Sequence, residues 1–216
     1  MVTTAPVENA FLFFYNVLFF IMNRTQLRRN MRQLRRSLPN YEIKQRSLRL
    51  TRLIKNLTIF RNSQRIAFYL SNDGEVDLQY LINYAIKYGK KCYLPILGKF
   101  RSRQLWFATY RPCERLRRNK LNINEPIQSP ARWIRAKALD LILVPLVAFD
   151  INGNRLGRGG GYYDKTLSFL RYRHYWYKPY LVGIAYDFQC VPSIIPQPWD
   201  VSLNMVISEL HIYRFK

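Results

Sequence analysis

The sequence predicts an α/β fold with a mostly parallel sheet, and three observations carry that expectation. Arg65-Ile-Ala-Phe-Tyr-Leu70 reads as a strand, residues 78–86 as a helix and Lys91-Cys-Tyr-Leu-Pro95 as a second strand, which together make a β-α-β unit. The apolar run from Leu139 to Phe149 suits a central strand buried on both faces. Four glycines, Gly157, Gly159, Gly160 and Gly161, follow that run and precede another helical segment. With 216 residues, 49% of them hydrophobic, the chain can build one large domain or at most two small ones.

The elements follow in order. Phe11 to Ile21 is almost continuously apolar but too short to span a bilayer, and no signal-peptide pattern surrounds it. Residues 1–21 are therefore expected to be an N-terminal extension, with Met22 as the functional start and 22–216 as the working domain; an interfacial anchor is the competing reading. From Asn23, Leu27, Met31, Leu34 and Leu38 mark one helical face, which Pro39 ends. Arg24 and Arg28 are four apart and share a face. A second helix is expected over 41–58, with Ile43, Leu50, Leu53, Ile54 and Leu57 on its buried stripe. Most arginines of these two helices read as a solvated face.

After the strand 65–70, Ser71-Asn-Asp-Gly-Glu75 reads as a turn, Asp77 as a helix cap and Gly89 as a helix stop. Parallel sheets bind ligands beyond the carboxyl ends of their strands, so Glu75 stands where a binding carboxylate belongs. An ordinary turn residue is the equal alternative. Leu105 to Thr109 is expected as a strand, Arg111 to Lys120 as a basic loop and Asn124-Glu-Pro126 as a turn. Leu139 to Pro145 is the central strand, Tyr162 to Leu170 a helix and Tyr180 to Tyr186 a strand. A proline-rich stretch leads to a last strand near Asn204–Ser208.

The formal charge of +22 points to an anionic partner: nucleic acid, an acidic membrane or a phosphorylated metabolite. Neither zinc-finger spacing nor an RNP-like aromatic signature supports the first as the main role, though weak nonspecific nucleic-acid binding is compatible with the excess. Cys92, Cys113 and Cys190 form no CxxC pair, which suits reduced thiols and a cytoplasmic setting. His174 and His211 are too few for a histidine-rich metal site.

Within Asp150 to Asp164, the glycines let backbone N–H groups approach an anion, and Arg155 and Arg158 add charge and paired donors. This reads as a phosphate cradle between a strand and a helix, or else as a solvent-exposed turn. It is not a Walker A loop, since no Gly-Lys-Ser/Thr occurs. Nor is it a dinucleotide fingerprint, since the third glycine position counted from Gly157 is Tyr162.

Several segments in order resemble the 5-formyltetrahydrofolate cyclo-ligase family. They are Leu70 to Asp77 with Gly74-Glu-Val-Asp, Tyr93-Leu-Pro95, Asn124-Glu-Pro126, Asp140 to Pro145, Phe149-Asp150, Gly153 to Asp164, Tyr186 with Gln189, and Trp199-Asp200. The resemblance covers about residues 24 to 209 and implies a single-domain, three-layer αβα fold, Rossmann-like, with a mostly parallel sheet. It implies an enzyme that uses ATP and Mg²⁺ to convert 5-formyltetrahydrofolate into 5,10-methenyltetrahydrofolate, releasing ADP and phosphate. It would place Arg24, Arg28, Arg155, Leu156, Gly157, Arg158, Gly159, Gly160, Gly161, Tyr162 and Tyr163 on the nucleotide. Leu70, Glu75, Arg158, Gly159, Gly160, Gly161 and Tyr162 would meet the folate. Arg158 and Tyr163 would act at the reacting atoms, and Asp164 and Asp200 would hold Mg²⁺. The family usually has Lys where Arg24 stands, which keeps the charge and changes the geometry. The alternatives are a basic nucleic-acid-binding protein and a family member with altered activity.

Overall fold

The basic N-terminal segment folds first into α1 (Arg24–Arg36), opened by a reciprocal cap in which Asn23 accepts from the Gln26 backbone while the Gln26 side chain accepts from the Asn23 N–H. The computed structural model describes residues 23–98, 103–112, 114–172 and 178–215; the expected extension 1–21 lies outside them. Then come α2 (Asn40–Asn56), α3 (Thr58–Asn62), β1 (Arg65–Ala67), α4 (Gln79–Lys87), β2 (Lys91–Leu97) and β3 (Leu105–Thr109). Next are β4 (Leu116–Arg118), β5 (Asn124–Pro126), β6 (Leu141–Pro145), β7 (Ala148–Phe149) and β8 (Arg155–Leu156). The chain finishes with α5 (Tyr162–Thr166), β9 (Tyr180–Ile184), β10 (Met205–Ile207) and β11 (Ile212–Arg214).

The main sheet has seven strands in the order β11-β10-β9-β6-β1-β2-β3. The inner pairings β10–β9, β9–β6, β6–β1 and β1–β2 are parallel, and only the outermost strands β11 and β3 run antiparallel. Side chains alternate across a strand, so the sheet presents two apolar faces. Ile66, Leu94, Leu143 and Val182 pack under α2, α3 and α4. Ala67, Ile142, Val144 and Val206 pack under the opposite layer, which includes Leu139, Leu167, Leu170 and Leu203. The architecture is α/β, three-layered and mostly parallel, as the sequence predicts. Helix α1 lies apart: Leu27 and Met31 pack on Val147, Ala148 and Leu156 of the β7–β8 hairpin. Its polar faces are thereby brought to the loops at the sheet's edge.

Several expected elements differ. The helix expected over 41–58 breaks at Leu57, whose extended backbone starts α3 and turns Phe60 into the core. The expected basic loop and turn contain β4 and β5, an antiparallel hairpin. Glu125 stabilises it by accepting from Arg117, Asn119 and the Leu97 N–H, so a polar stretch is ordered by one buried carboxylate. The helix expected to reach Leu170 stops at Thr166, followed by a 3₁₀ turn at Ser168–Tyr172. Thr166 Oγ1 donates to the Tyr162 carbonyl and accepts from the Leu105 N–H, drawing helix-ending polar groups into side-chain contacts. The last edge strand, β11, carries too short a pattern to be read in advance.

Gly183 in β9 shows how closely the layers meet. A Cβ there would lie 2.6 Å from Leu203 Cδ1, 2.7 Å from Leu146 Cδ2 and 2.8 Å from Val206 Cγ2. Gly183→Ala should therefore lower unfolding free energy by about 1–3 kcal/mol, the usual cost of overpacking, as read by urea denaturation.

Candidate active site

A parallel sheet opens a crevice where consecutive connections leave in opposite directions. Here β1 sits between β2, which follows it, and β6, which comes later. The carboxyl ends of β1 and β6 therefore bound the crevice. Beyond β1 come Tyr69, Leu70 and the turn to Glu75; beyond β6 comes the β7–β8 hairpin with the glycine loop. A cavity of about 360 Å³ opens there, within the range of small-molecule sites.

The loop is anchored from below by Asp150, which is fully buried. Its carboxylate accepts from the Asn152, Asn154 and Ile194 N–H groups and from Asn154 Nδ2. The chain then rises through β8 and turns at Gly159 (φ +99°) and Gly161 (φ +67°), a backbone region that side chains resist. Gly161 is the residue at which α5 begins.

Four arginines converge on this loop and its neighbours. Arg158 binds Glu75 through Nη2 at 2.8 Å and Nε at 3.1 Å, and donates to the Asn72 carbonyl at 2.9 Å. Arg155, 3% exposed, binds Asp164 Oδ1 at 2.7 Å. Arg28 donates to the Gly157 carbonyl at 2.9 Å, and Arg24 binds Asp200 Oδ2 at 2.8 Å. Burial and the neighbouring Arg24 draw the Arg28 pKa below its usual value. Glu75 is 5% exposed, and burial raises its carboxyl above the ordinary range despite the opposing pull of Arg158 and Arg35. Burial and the Glu75 charge raise the Tyr163 phenol far above its usual value. That hydroxyl stays protonated.

Asp164 Oδ1 also accepts from the Val201 N–H at 3.3 Å, which brings it beside Asp200. Asp200 Oδ2 also accepts from the Gln197 N–H at 2.9 Å. Among the described residues no cluster of three or more His, Cys, Asp or Glu side chains could hold a metal by itself. The donor set fits a hard cation shared with a phosphate: two carboxylates, each with one oxygen held by an arginine and a backbone N–H.

The cavity brings together Arg24, Arg28, Leu70, Glu75, Arg155, Gly157, Arg158, Gly159, Gly160, Gly161, Tyr162, Tyr163, Asp164 and Asp200. Leu156 is set apart: its side chain is 0% exposed and packs on Leu27 and Met31. Sequence reasoning missed the apolar wall of Leu94, Pro95, Leu97 and Leu105, the β4–β5 rim of Asn119, Leu121 and Ile123, and Trp199. Trp199 adjoins Asp200 in the chain, which was an available signal; the rim depends on a hairpin that polar residues concealed. The arginines of α1, expected mostly as a solvated face, are largely engaged. Besides Arg24 and Arg28, Arg32, Arg35 and Arg36 all bind Asp73.

The profile of the 5-formyltetrahydrofolate cyclo-ligase family matches residues 21–209. The 5-formyltetrahydrofolate cyclo-ligase of Escherichia coli (strain K12) is 39% identical over 150 residues, which are 69% of this chain and 80% of that protein. That of Haemophilus influenzae is 36% identical over 180 residues, 83% of this chain and 94% of the relative. The solved structure of Aquifex aeolicus 5,10-methenyltetrahydrofolate synthetase is similar with a TM-score of 0.75 at 30% identity, over 90% of this chain and 94% of that one. A match of this length, with the same sheet architecture beneath it, shows that the chain belongs to the 5-formyltetrahydrofolate cyclo-ligase family.

Proposed function

We propose that the protein converts 5-formyltetrahydrofolate and ATP into 5,10-methenyltetrahydrofolate, ADP and phosphate. The observation that carries this reading is the single cavity in which the glycine loop, four arginines and three carboxylates meet. A formamide oxygen is a poor nucleophile and a poor leaving group. Transfer of the γ-phosphoryl group to it breaks the bond to ADP, forms an O–P bond and makes the formyl carbon electrophilic. N10 attacks that carbon and loses its proton. The C–O bond breaks, phosphate leaves with the former formyl oxygen, and the ring closes.

Phosphoryl transfer asks chiefly for positioning and charge neutralisation. Arg24, Arg28, Arg155 and the Gly157–Gly161 backbone hold the phosphates. Leu70 covers the pterin, and Glu75 accepts hydrogen bonds from its donors. Arg158, already against Glu75, stands between the two ligands and neutralises charge at the oxygen being transferred to. Tyr163 donates a hydrogen bond there. Asp164 and Asp200 would hold Mg²⁺ through the oxygens that Arg155 and Arg24 leave open, and the ion would supply further neutralisation of the phosphates. Among the described residues no helix is long and apolar enough to cross a membrane.

The direct test mixes purified protein with ATP, Mg²⁺ and 5-formyltetrahydrofolate and follows the methenyl absorbance. A rise that needs all three is expected; no rise beside an active control enzyme rejects the reading. Asp164→Asn keeps an oxygen for Arg155 but removes a charge from the metal. The Mg²⁺ concentration for half-maximal rate should rise by about tenfold or more, since even outer-shell losses cost that much. An unchanged Mg²⁺ dependence would exclude Asp164 as a ligand.

A further inference from the structure

Arg35 takes no part in the proposed reaction, yet it is only 1% exposed. Its guanidinium reaches both walls of the crevice. Nε donates to the Asp73 carbonyl at 2.8 Å and Nη2 binds Asp73 Oδ2 at 2.9 Å. Nη1 donates to the Leu146 carbonyl at 3.4 Å and lies 3.7 Å from Glu75 Oε1. Asp73 follows β1 and Leu146 follows β6, so one side chain ties the two strand ends together. The backbone of Arg35 is equally close. Gly74 has φ +73°, and a Cβ there would lie 2.8 Å from the Arg35 carbonyl oxygen.

Glu75 is faced by Arg158 from the glycine loop, by Arg35 from α1 and by the Asn72 N–H of its own turn. The phenols of Tyr69, Tyr163 and Tyr186 add no positive charge. Arg158 is the cation that the proposed reaction shares with a phosphate. Arg35 is the one whose contacts are all with the protein, so its charge stays beside Glu75 throughout. Resting on the reading that Glu75 binds the folate, we infer that Arg35 is a positioning residue. It locks the turn from Asn72 to Glu75 against α1 and keeps the Glu75 carboxylate ionised for the substrate.

The test follows the Glu75 carboxyl carbon by NMR titration in the parent protein and in Arg35→Met, with Glu75→Gln identifying its resonance. It also measures kcat and both KM values across the pH range in which that titration shows Glu75 changing charge. Removing the cation moves the Glu75 pKa further up. The KM for 5-formyltetrahydrofolate should then rise by about tenfold, roughly the worth of one hydrogen bond to a charged group, and more so as pH falls. The KM for ATP and kcat should move far less, and Glu75→Gln in the same protein should abolish the pH effect. Arg35→Lys restores charge without the fork, so it should return the titration toward that of the parent while the folate KM stays raised. That variant decides the matter if Arg35→Met does not fold. A parent-like titration and folate KM in folded Arg35→Met, a parent-like folate KM in Arg35→Lys, or an equal change in all three constants would overturn the inference. If the parent protein forms no methenyl product, the proposed reaction fails, while the titration still decides whether Arg35 sets the charge of Glu75.

Discussion

The ion pair between Glu75 and Arg158 joins the two halves of the crevice, and the rest of the site depends on it. Glu75 comes from the turn after β1 and Arg158 from the glycine loop, 83 residues later. A carboxylate this buried is unfavourable unless it is paired and hydrogen-bonded. Burial does raise its pKa, and Arg158 and Arg35 act against that shift. Removing one partner of such a pair typically costs about 3–5 kcal/mol, because the other is left as an uncompensated buried charge. The pair therefore ties the glycine loop to the turn after β1.

Helix α1 supplies the frame around that pair. Its apolar residues Leu27 and Met31 rest on the β7–β8 hairpin, so its arginines are carried over the loops. Arg24 reaches Asp200, Arg28 the Gly157 carbonyl, and Arg32, Arg35 and Arg36 the single carboxylate of Asp73. Those three arginines hold the Asp73 carboxyl below its usual value against the effect of burial. A sequence with a charge of +22 thus places part of its basicity inside, as ties between segments remote in the chain. This also explains why Asp73, in a chain with few acids, is ringed with cationic donors.

Much of this was legible in the sequence where the signal was local. The β-α-β unit, the central apolar strand and the glycine cluster each announce themselves within a few residues, and together they locate the crevice. Glu75 was legible from its place after a strand and from the Gly74-Glu-Val-Asp segment of the family resemblance. Arg35 was not, because it looks like any arginine in a basic helix; its burial is decided by Asp73 and Leu146, far off in the chain. The β4–β5 rim was hidden for a similar reason, since Glu125 orders a stretch whose composition suggests a loop. Thr166 ends α5 through a contact with Leu105 that no helical pattern encodes. What escaped the sequence was set by polar partners at long range, and what was visible was set by apolar periodicity and glycine.

Paired in this way, Glu75 and Arg158 should act as one unit toward the substrate. A double-mutant cycle tests it most directly, comparing kcat/KM for 5-formyltetrahydrofolate in Glu75→Gln, Arg158→Gln and the double variant. A coupling energy of at least about 1 kcal/mol is expected, with the second substitution costing much less once the first is made. Effects that add to within about 0.5 kcal/mol would contradict it.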